Sequence, residues 1–309
     1  MTESGKVQAM TTVGFPLTAE KAPVRRKRSA ALQSLIANKG ALVGMVILAI
    51  VVFASLFATW IVPHDPTYRD ITRRLSPPLS TVEGEFFLLG TDAVGRDILS
   101  RIIFGTRVTL LVGVASVLVA GTVGTVLGLF AGYRGKWADA VIMRIADIQL
   151  ALPFMVLAIA VAGALGSSVV NTIVVLGVTG WVTHVRVVRA ETLSTRSRDY
   201  VLSAQAVGAR DSRIITKHVL PNVQALAIVS ATLMVARMII AEASLSFLGL
   251  GVPVGTPTWG VMISEGREYI ATAWWVAAFP GIAILITVMA VNLVGDWLRD
   301  VLDPRMQRS

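Results

Sequence analysis

Residues 199–222 read DYVLSAQAVGARDSRIITKHVLPN, a polar and basic interval set between long apolar runs. Tyr200, Ala204 and Val207 recur at 0, +4, +7, and Ile214, Ile215, His218 and Val219 at 0, +1, +4, +5, spacings that put side chains on one side of a helix. The interval therefore predicts two short helices. Gly208 stands where a helix C-terminus favours a residue free to adopt positive φ, Asp211 is placed to cap the second helix, and Pro221, after Leu220, is placed to stop it. Neither helix can cross a bilayer, whose core of about 30 Å needs about 20 helical residues. Each has a modest apolar face that must meet something. Two readings stand: a loop folded back on its own bundle, or a rigid projection offered to a partner.

The flanking sequence sets the class. Of 309 residues, 54% are hydrophobic and 15% charged, against about 25% charged in a soluble domain, which marks an integral membrane protein. Six apolar runs are long enough to span: Gly40–Val62, Val108–Tyr133, Ala140–Leu165, Val169–Val185, Ala225–Leu250 and Trp274–Trp297. Lys21, Arg25, Arg26, Lys27, Arg28 and Lys39 precede the first, which predicts a cytoplasmic N-terminus, and an even number of spans returns the C-terminus to the same side. Arg134 and Lys136, and then Arg186, Arg189, Arg196, Arg198, Arg210, Arg213 and Lys217, fall on that side as well. The first run is too long, and lies too far from residue 1, to be a signal peptide. The net charge of +9 is explained by this one-sided distribution, so nucleic-acid binding is not inferred.

Within the spans, Ala120, Gly124, Gly128 and Gly132 recur every fourth residue, a small-residue stripe for close helix packing. Arg144 and Asp147 lie three apart and can pair, with Pro153 bending the helix beyond them. Arg237 and Glu242 in the fifth run, and Asn292 with Asp296 in the sixth, are the other intramembrane polar candidates, either facing a pathway or packed and paired. The first outer segment runs about 45 residues, well beyond an ordinary loop. In LGTDAVGRDILSRIIFG (89–105), Asp92 with Arg96 and Asp97 with Arg101 stand at i,i+4, which predicts a short amphipathic helix: a cap on the bundle, or a docking or gating element.

Catalytic signatures are missing. Gly132-Tyr133-Arg134-Gly135-Lys136-Trp137 has neither the spacing nor the hydroxyl of a phosphate-binding loop, so any ATP hydrolysis belongs to another chain. His64, His184 and His218 are scattered, there is no cysteine, and no metal or catalytic site is expected.

At this point the residues resemble a known family. Leu202-Ser203-Ala204, then Gly208, then His218-Val219-Leu220-Pro221 is similar in spacing to the EAA loop of ABC importer permeases, whose pattern is Glu-Ala-Ala-x3-Gly-x9-Ile-x-Leu-Pro. Leu202, Ser203 and His218 depart from it. NKGALVGMVILAIVVFASLFATWIVPHDP (38–66), FLLGTDAVGRDILSRIIFGTRVTLLVG (87–113), EASLSFLGLGVPVGTPTWGVMISEGREYI (242–270) and FPGIAILITVMAVNLVGDWLRDVLDPR (279–305) narrow the resemblance to the C-type permease of dipeptide/oligopeptide importers. It covers about residues 35 to 305, while residues 1–30 match nothing and read as a disordered basic arm.

The resemblance implies a MetI-like all-α fold of six transmembrane helices in the bacterial cytoplasmic (inner) membrane, with both termini on the cytoplasmic side. It divides the chain into an elbow and first helix (31–66), an extracytoplasmic segment (67–106), a five-helix core (107–300) with a cytoplasmic coupling loop (186–222), and a tail (301–309). The implied partners are a homologous B-type permease, two ATPase subunits that bind the ATP and Mg, an extracytoplasmic solute-binding protein and a peptide substrate. Asp199, Tyr200, Leu202, Ser203, Ala204, Gln205, Ala206, Gly208, Ala209 and Arg210 would then form the element that couples to an ATPase. Glutathione, opines or nickel chelates are alternative cargoes of such relatives. The alternative from another class is a proton-coupled secondary transporter using Asp147, Glu242 and Asp296, and a membrane anchor or sensor would need a further soluble domain.

Overall fold

The computed structural model describes residues 34–302 apart from 37 and 254, so the basic arm expected over 1–30 and residues 303–309 of the expected tail lie outside the described residues. The apolar runs become α1 (Lys39–Ile61), α2 (Ile98–Arg134), α3 (Lys136–Leu150), α4 (Phe154–Leu165), α5 (Val169–Arg196), α7 (Asp211–Phe247) and α9 (Trp275–Leu302), with α6 (Asp199–Ala206) and α8 (Trp259–Gly266) between them. Five of these, α1, α2, α5, α7 and α9, are long and apolar enough to cross a membrane, and α3 with α4 forms a sixth crossing if the bent pair is one span. Leu42, Val46, Ile50, Phe53 and Leu56 are exposed along α1, as befits a helix whose solvent is lipid.

The small-residue stripe does what its spacing predicts. A Cβ on Gly128 would lie 2.7 Å from Val188 Cγ1, and one on Gly132 would lie 2.7 Å from Thr192 Cβ, so α2 and α5 approach more closely than any larger residue permits. His184, fully buried, joins three helices: its ring nitrogens stand 3.0 Å from Thr125 Oγ1 on α2 and 3.1 Å from Ser230 Oγ on α7. Val112, Leu176, Val185, Met238 and Leu245 fill the core around that contact.

Three expectations need correction here. Pro153 produces a break rather than a bend: α3 and α4 meet at 89°. Proline lacks an N–H and restricts the residue before it, so Ala151 and Leu152 leave the helix and Pro153 becomes the cap of the next one. Arg144 does not pair with Asp147; Asp147 pairs across helices with Arg186, and Arg144 lines an open groove on α3. Pro221 does not stop the second short helix. The chain runs on from Asp211 to Phe247, with a π-turn over Ile215–Val219 just before Pro221, and Pro221, in the first turn where its missing N–H costs least, opens the long α-helical stretch.

The loops gather at two ends of the bundle. One end, here the capped end, carries residues 62–97 and 248–274. Its short hairpin, β1 (Ser80–Val82) with β2 (Glu85–Phe87), is antiparallel with Thr81 opposite Phe86. The other, the hairpin end, carries α6 and the start of α7.

Candidate coupling hairpin and intramembrane polar face

At the hairpin end α6 closes on a glycine. Gly208 has φ +81°, its N–H donates to the Gln205 carbonyl (2.9 Å), and the Ala209 N–H donates to the Ala204 carbonyl (3.1 Å). These are the bonds of a helix stop that needs a left-handed residue. The chain then turns back into α7. Asp211 does not cap α7 with its side chain; its carboxylate accepts from the Tyr133 hydroxyl at 3.0 Å, tying the hairpin to the end of α2.

The apolar stripes also divide differently from their spacing. Val201, Ile214 and Val219 are fully buried and pack with Tyr133, Val188 and Val223, with Ala204 and Ala209 against them. Tyr200, Leu202 and Val207 point away, and Val207 is 89% exposed. So of Tyr200, Ala204 and Val207, only Ala204 belongs to the inward face. The second stripe holds, with Ile214 and Val219 inward and His218 half-buried beside Tyr200, ring centroids 6.4 Å apart. Asp199, Ser203, Gln205, Ala206, Gly208 and Arg210 are exposed, while Leu220 and Pro221 already belong to α7. The hairpin is a wedge held by its inner apolar face, with a mixed apolar and polar outer face that nothing among the described residues covers.

The intramembrane candidates separate into distinct settings. Glu242 is fully buried and accepts from Ser246 Oγ at 2.8 Å. Asn292 and Asp296 are exposed on the hairpin-end half of α9. Arg237 is exposed on α7, ten residues and so about 15 Å from its capped end, and has no ion-pair or hydrogen-bond partner among the described residues. A guanidinium at that depth costs about 2.5–3.5 kcal/mol or more facing acyl chains, so this face meets water or a counter-charge instead. The fold does not bring the three carboxylates Asp147, Glu242 and Asp296 together. Asp147 is neutralised by Arg186, Glu242 is enclosed at the capped-end half of α7, and Asp296 sits toward the opposite end of α9.

At the capped end, residues 89–97 form a turn rather than an amphipathic helix, and α2 begins at Ile98 and runs on into the span without a break. Gly95, φ +81°, brings the turn so near the Asp70 carbonyl that a Cβ there would lie 1.8 Å from its oxygen. Asp92 and Arg96 pair as expected, Nε to Oδ2 at 2.6 Å, but Asp97 and Arg101 do not pair. Asp97 caps α2, accepting from the Ser100 N–H at 2.9 Å, while Arg101, 1% exposed, donates to Asp92 (2.5 Å) and to Glu265 of α8 (2.7 Å). Arg96 also reaches Glu265, at 2.9 Å, so two cations and two carboxylates close a buried cluster. Glu265 was not a sequence candidate. It lies 164 residues from Arg101, and no local spacing links the two.

The comparisons agree with this architecture. Residues 124–308 match the family described as the binding-protein-dependent transport system inner membrane component, and residues 29–78 match the N-terminal TM domain of oligopeptide transport permease C. The chain is 45% identical to the di/tripeptide transport system permease protein DppC of Pseudomonas aeruginosa, over 90% of this chain and 92% of that one. It is 42% identical to the dipeptide transport system permease protein DppC of Haemophilus influenzae, over 88% and 92%. It is 40% identical to the probable D,D-dipeptide transport system permease protein DdpC of Escherichia coli, over 84% and 86%. With a family match over more than half its length and such relatives end to end, this chain belongs to the binding-protein-dependent transport system inner membrane components, the permease subunits of ABC transporters.

Proposed function

We propose that this chain is one of two permease halves of an ATP-driven importer of dipeptides and short oligopeptides in a bacterial cytoplasmic membrane. The basic hairpin end faces the cytoplasm and the capped end faces the solute-binding protein. Two ATPase subunits hydrolyse ATP, and a homologous B-type permease completes the pathway. The observation that carries the reading is the hairpin: a rigid element with a buried inner face, a glycine stop, and Tyr200, Leu202 and Val207 left uncovered. A loop that merely folded back would bury those side chains. Docked in an ATPase groove, they move with it, and because α7 is continuous from Asp211 to Phe247 the movement is delivered directly to the membrane core. Leu202 and Ser203, exposed departures from the family pattern, are where partner choice is read. Peptide as the cargo follows from the relatives' names.

The sequence contains no cysteine, which makes the test direct. In the purified importer, Val207→Cys is expected to cross-link to an ATPase subunit with a short thiol-reactive linker, and proteoliposomes carrying the complex are expected to take up dipeptide only when ATP is enclosed. Uptake that needs no ATPase and collapses with the proton gradient would overturn the proposal.

A further inference from the structure

A cavity of about 370 Å³ opens where the break between α3 and α4 faces α5 and α7, and Arg237 lies on its wall. The volume is at the small end of ligand pockets, which run about 300–1,000 Å³, and equals roughly a dozen waters at about 30 Å³ each. Around Arg237 the wall is apolar and adaptable, with Met155, Met234 and Met238, plus the hydroxyls of Thr183 and Ser244. It contains no carboxylate, so the guanidinium is uncompensated within the cavity as well as within the described residues.

Resting on the reading of the chain as a peptide permease, we infer that this cavity is a carboxylate-selective station on the translocation path, where Arg237 receives the C-terminal carboxylate of the passing peptide. Peptides of different sequence share few chemical constants: an ammonium, a carboxylate and the amide links. A site that must accept many side chains can hold only those constants. A planar guanidinium pairs with a carboxylate in a two-pronged hydrogen-bonded geometry, and unbranched thioether side chains repack around whatever side chains follow. The break at Pro153 borders this cavity, with Leu150 and Leu152 before it and Phe154 and Leu157 after it on the wall. A counter-ion supplied by the other permease is the competing arrangement, and it makes an opposite prediction.

The test uses the complete importer in proteoliposomes, with a free-acid dipeptide and the variants Arg237→Lys and Arg237→Met. Peptide imported per ATP hydrolysed is expected to fall tenfold or more in Arg237→Met and to stay within about threefold of wild type in Arg237→Lys. Independently, Ser244→Cys in this cysteine-free chain is labelled with an anionic and a cationic methanethiosulfonate of similar size, read as the mass of this subunit. The anionic probe is expected to react at least tenfold faster, and Arg237→Met to abolish that advantage. Normal import by Arg237→Met, equal loss in both variants, equal probe rates, or loss of the second permease from the purified Arg237→Met complex would each overturn the inference. A wild-type complex that imports no peptide would instead sink the proposed function, and the probe rates would still decide whether the cavity selects anions.

Discussion

At the capped end Arg101 is 1% exposed and reaches across 164 residues of sequence to Glu265, while Asp92 accepts from both Arg96 and Arg101. At the hairpin end the burial is apolar: Val201, Ile214 and Val219 are sealed in, one tyrosine hydroxyl reaches Asp211, and the outer side chains stay uncovered. Trp259 and Trp275 tighten the capped end further, donating from their indole N–H groups to the carbonyls of Ile102 (3.1 Å) and Thr91 (3.3 Å). The contrast is one of specification. Buried charges have few acceptable neighbours, so they lock residues 62–97 onto α2 and α8 in one arrangement. An apolar wedge tolerates small shifts, and so suits an element that is pushed by a partner.

The sharpest way to break that contrast is to remove the central cation. Arg101→Met leaves Asp92 and Glu265 facing each other with only Arg96 between them, and losing one partner of a buried pair costs about 3–5 kcal/mol. The unfolding midpoint of the purified complex is expected to drop and residues 62–97 to become protease-sensitive. Adding Glu265→Gln should restore part of the loss. A midpoint unchanged by Arg101→Met would show that the cluster locks nothing.

Next in size is the wedge. Val201→Ala opens a gap in a fully buried contact and is expected to cost about 2 kcal/mol. Because the hairpin depends on this one face, the loss should stay local: hydrogen exchange over 199–219 rises while the spans remain protected. Exchange that rose throughout the bundle would mean that the two ends are not independent.

These two ends also differ in how far sequence alone describes them. The spans, the Ala120–Gly132 stripe and the positive φ at Gly208 are properties of local spacing, and spacing carries them. Pro221 is ambiguous in sequence because the same residue ends one helix or begins another, and the π-turn that precedes it leaves no mark in composition. Asp147 has an arginine three residues before it and another 39 residues after it; the helical neighbour was the obvious partner, and tertiary packing chose the distant one. Glu265 escaped altogether because a buried cation can draw its carboxylate from anywhere in the chain. Arg237 was visible as an intramembrane charge, but its cavity borders the α3–α4 break, whose angle Pro153 does not state.

Gly208→Val probes the hairpin without touching its packing. A Cβ at 208 meets no atom within 4 Å, so the cost is backbone strain alone, about 1–2 kcal/mol for a left-handed residue and at the upper end for a β-branched one. Membrane insertion is expected to be retained while peptide imported per ATP falls. Gly208→Asn, which tolerates the left-handed region, should retain much more coupling. Equal transport by the valine variant would argue that the turn transmits no force.

The smallest effect separates fully buried from partly exposed charge within the capped end itself. Asp70 caps the short turn Ile71–Arg73, and the Thr72 hydroxyl, followed by the Thr72 N–H, holds its carboxyl below the ordinary value of 3.8. A depressed carboxyl adds stability that is complete above the unfolded-chain value and is lost as pH falls through the folded one, so the contribution is present at neutral pH and disappears only below about 3.8. Thr72→Val removes the hydroxyl donor but keeps the N–H, so the Asp70 carboxyl should move only part of the way back up, as read from its carbon chemical shift against pH. Solvent screens this site, and the neutral-pH unfolding midpoint should hardly move. A fall comparable to that of Arg101→Met would mean that one solvent-accessible hydrogen bond matters as much as the buried ion pairs, and the comparison with the hairpin would lose its physical basis.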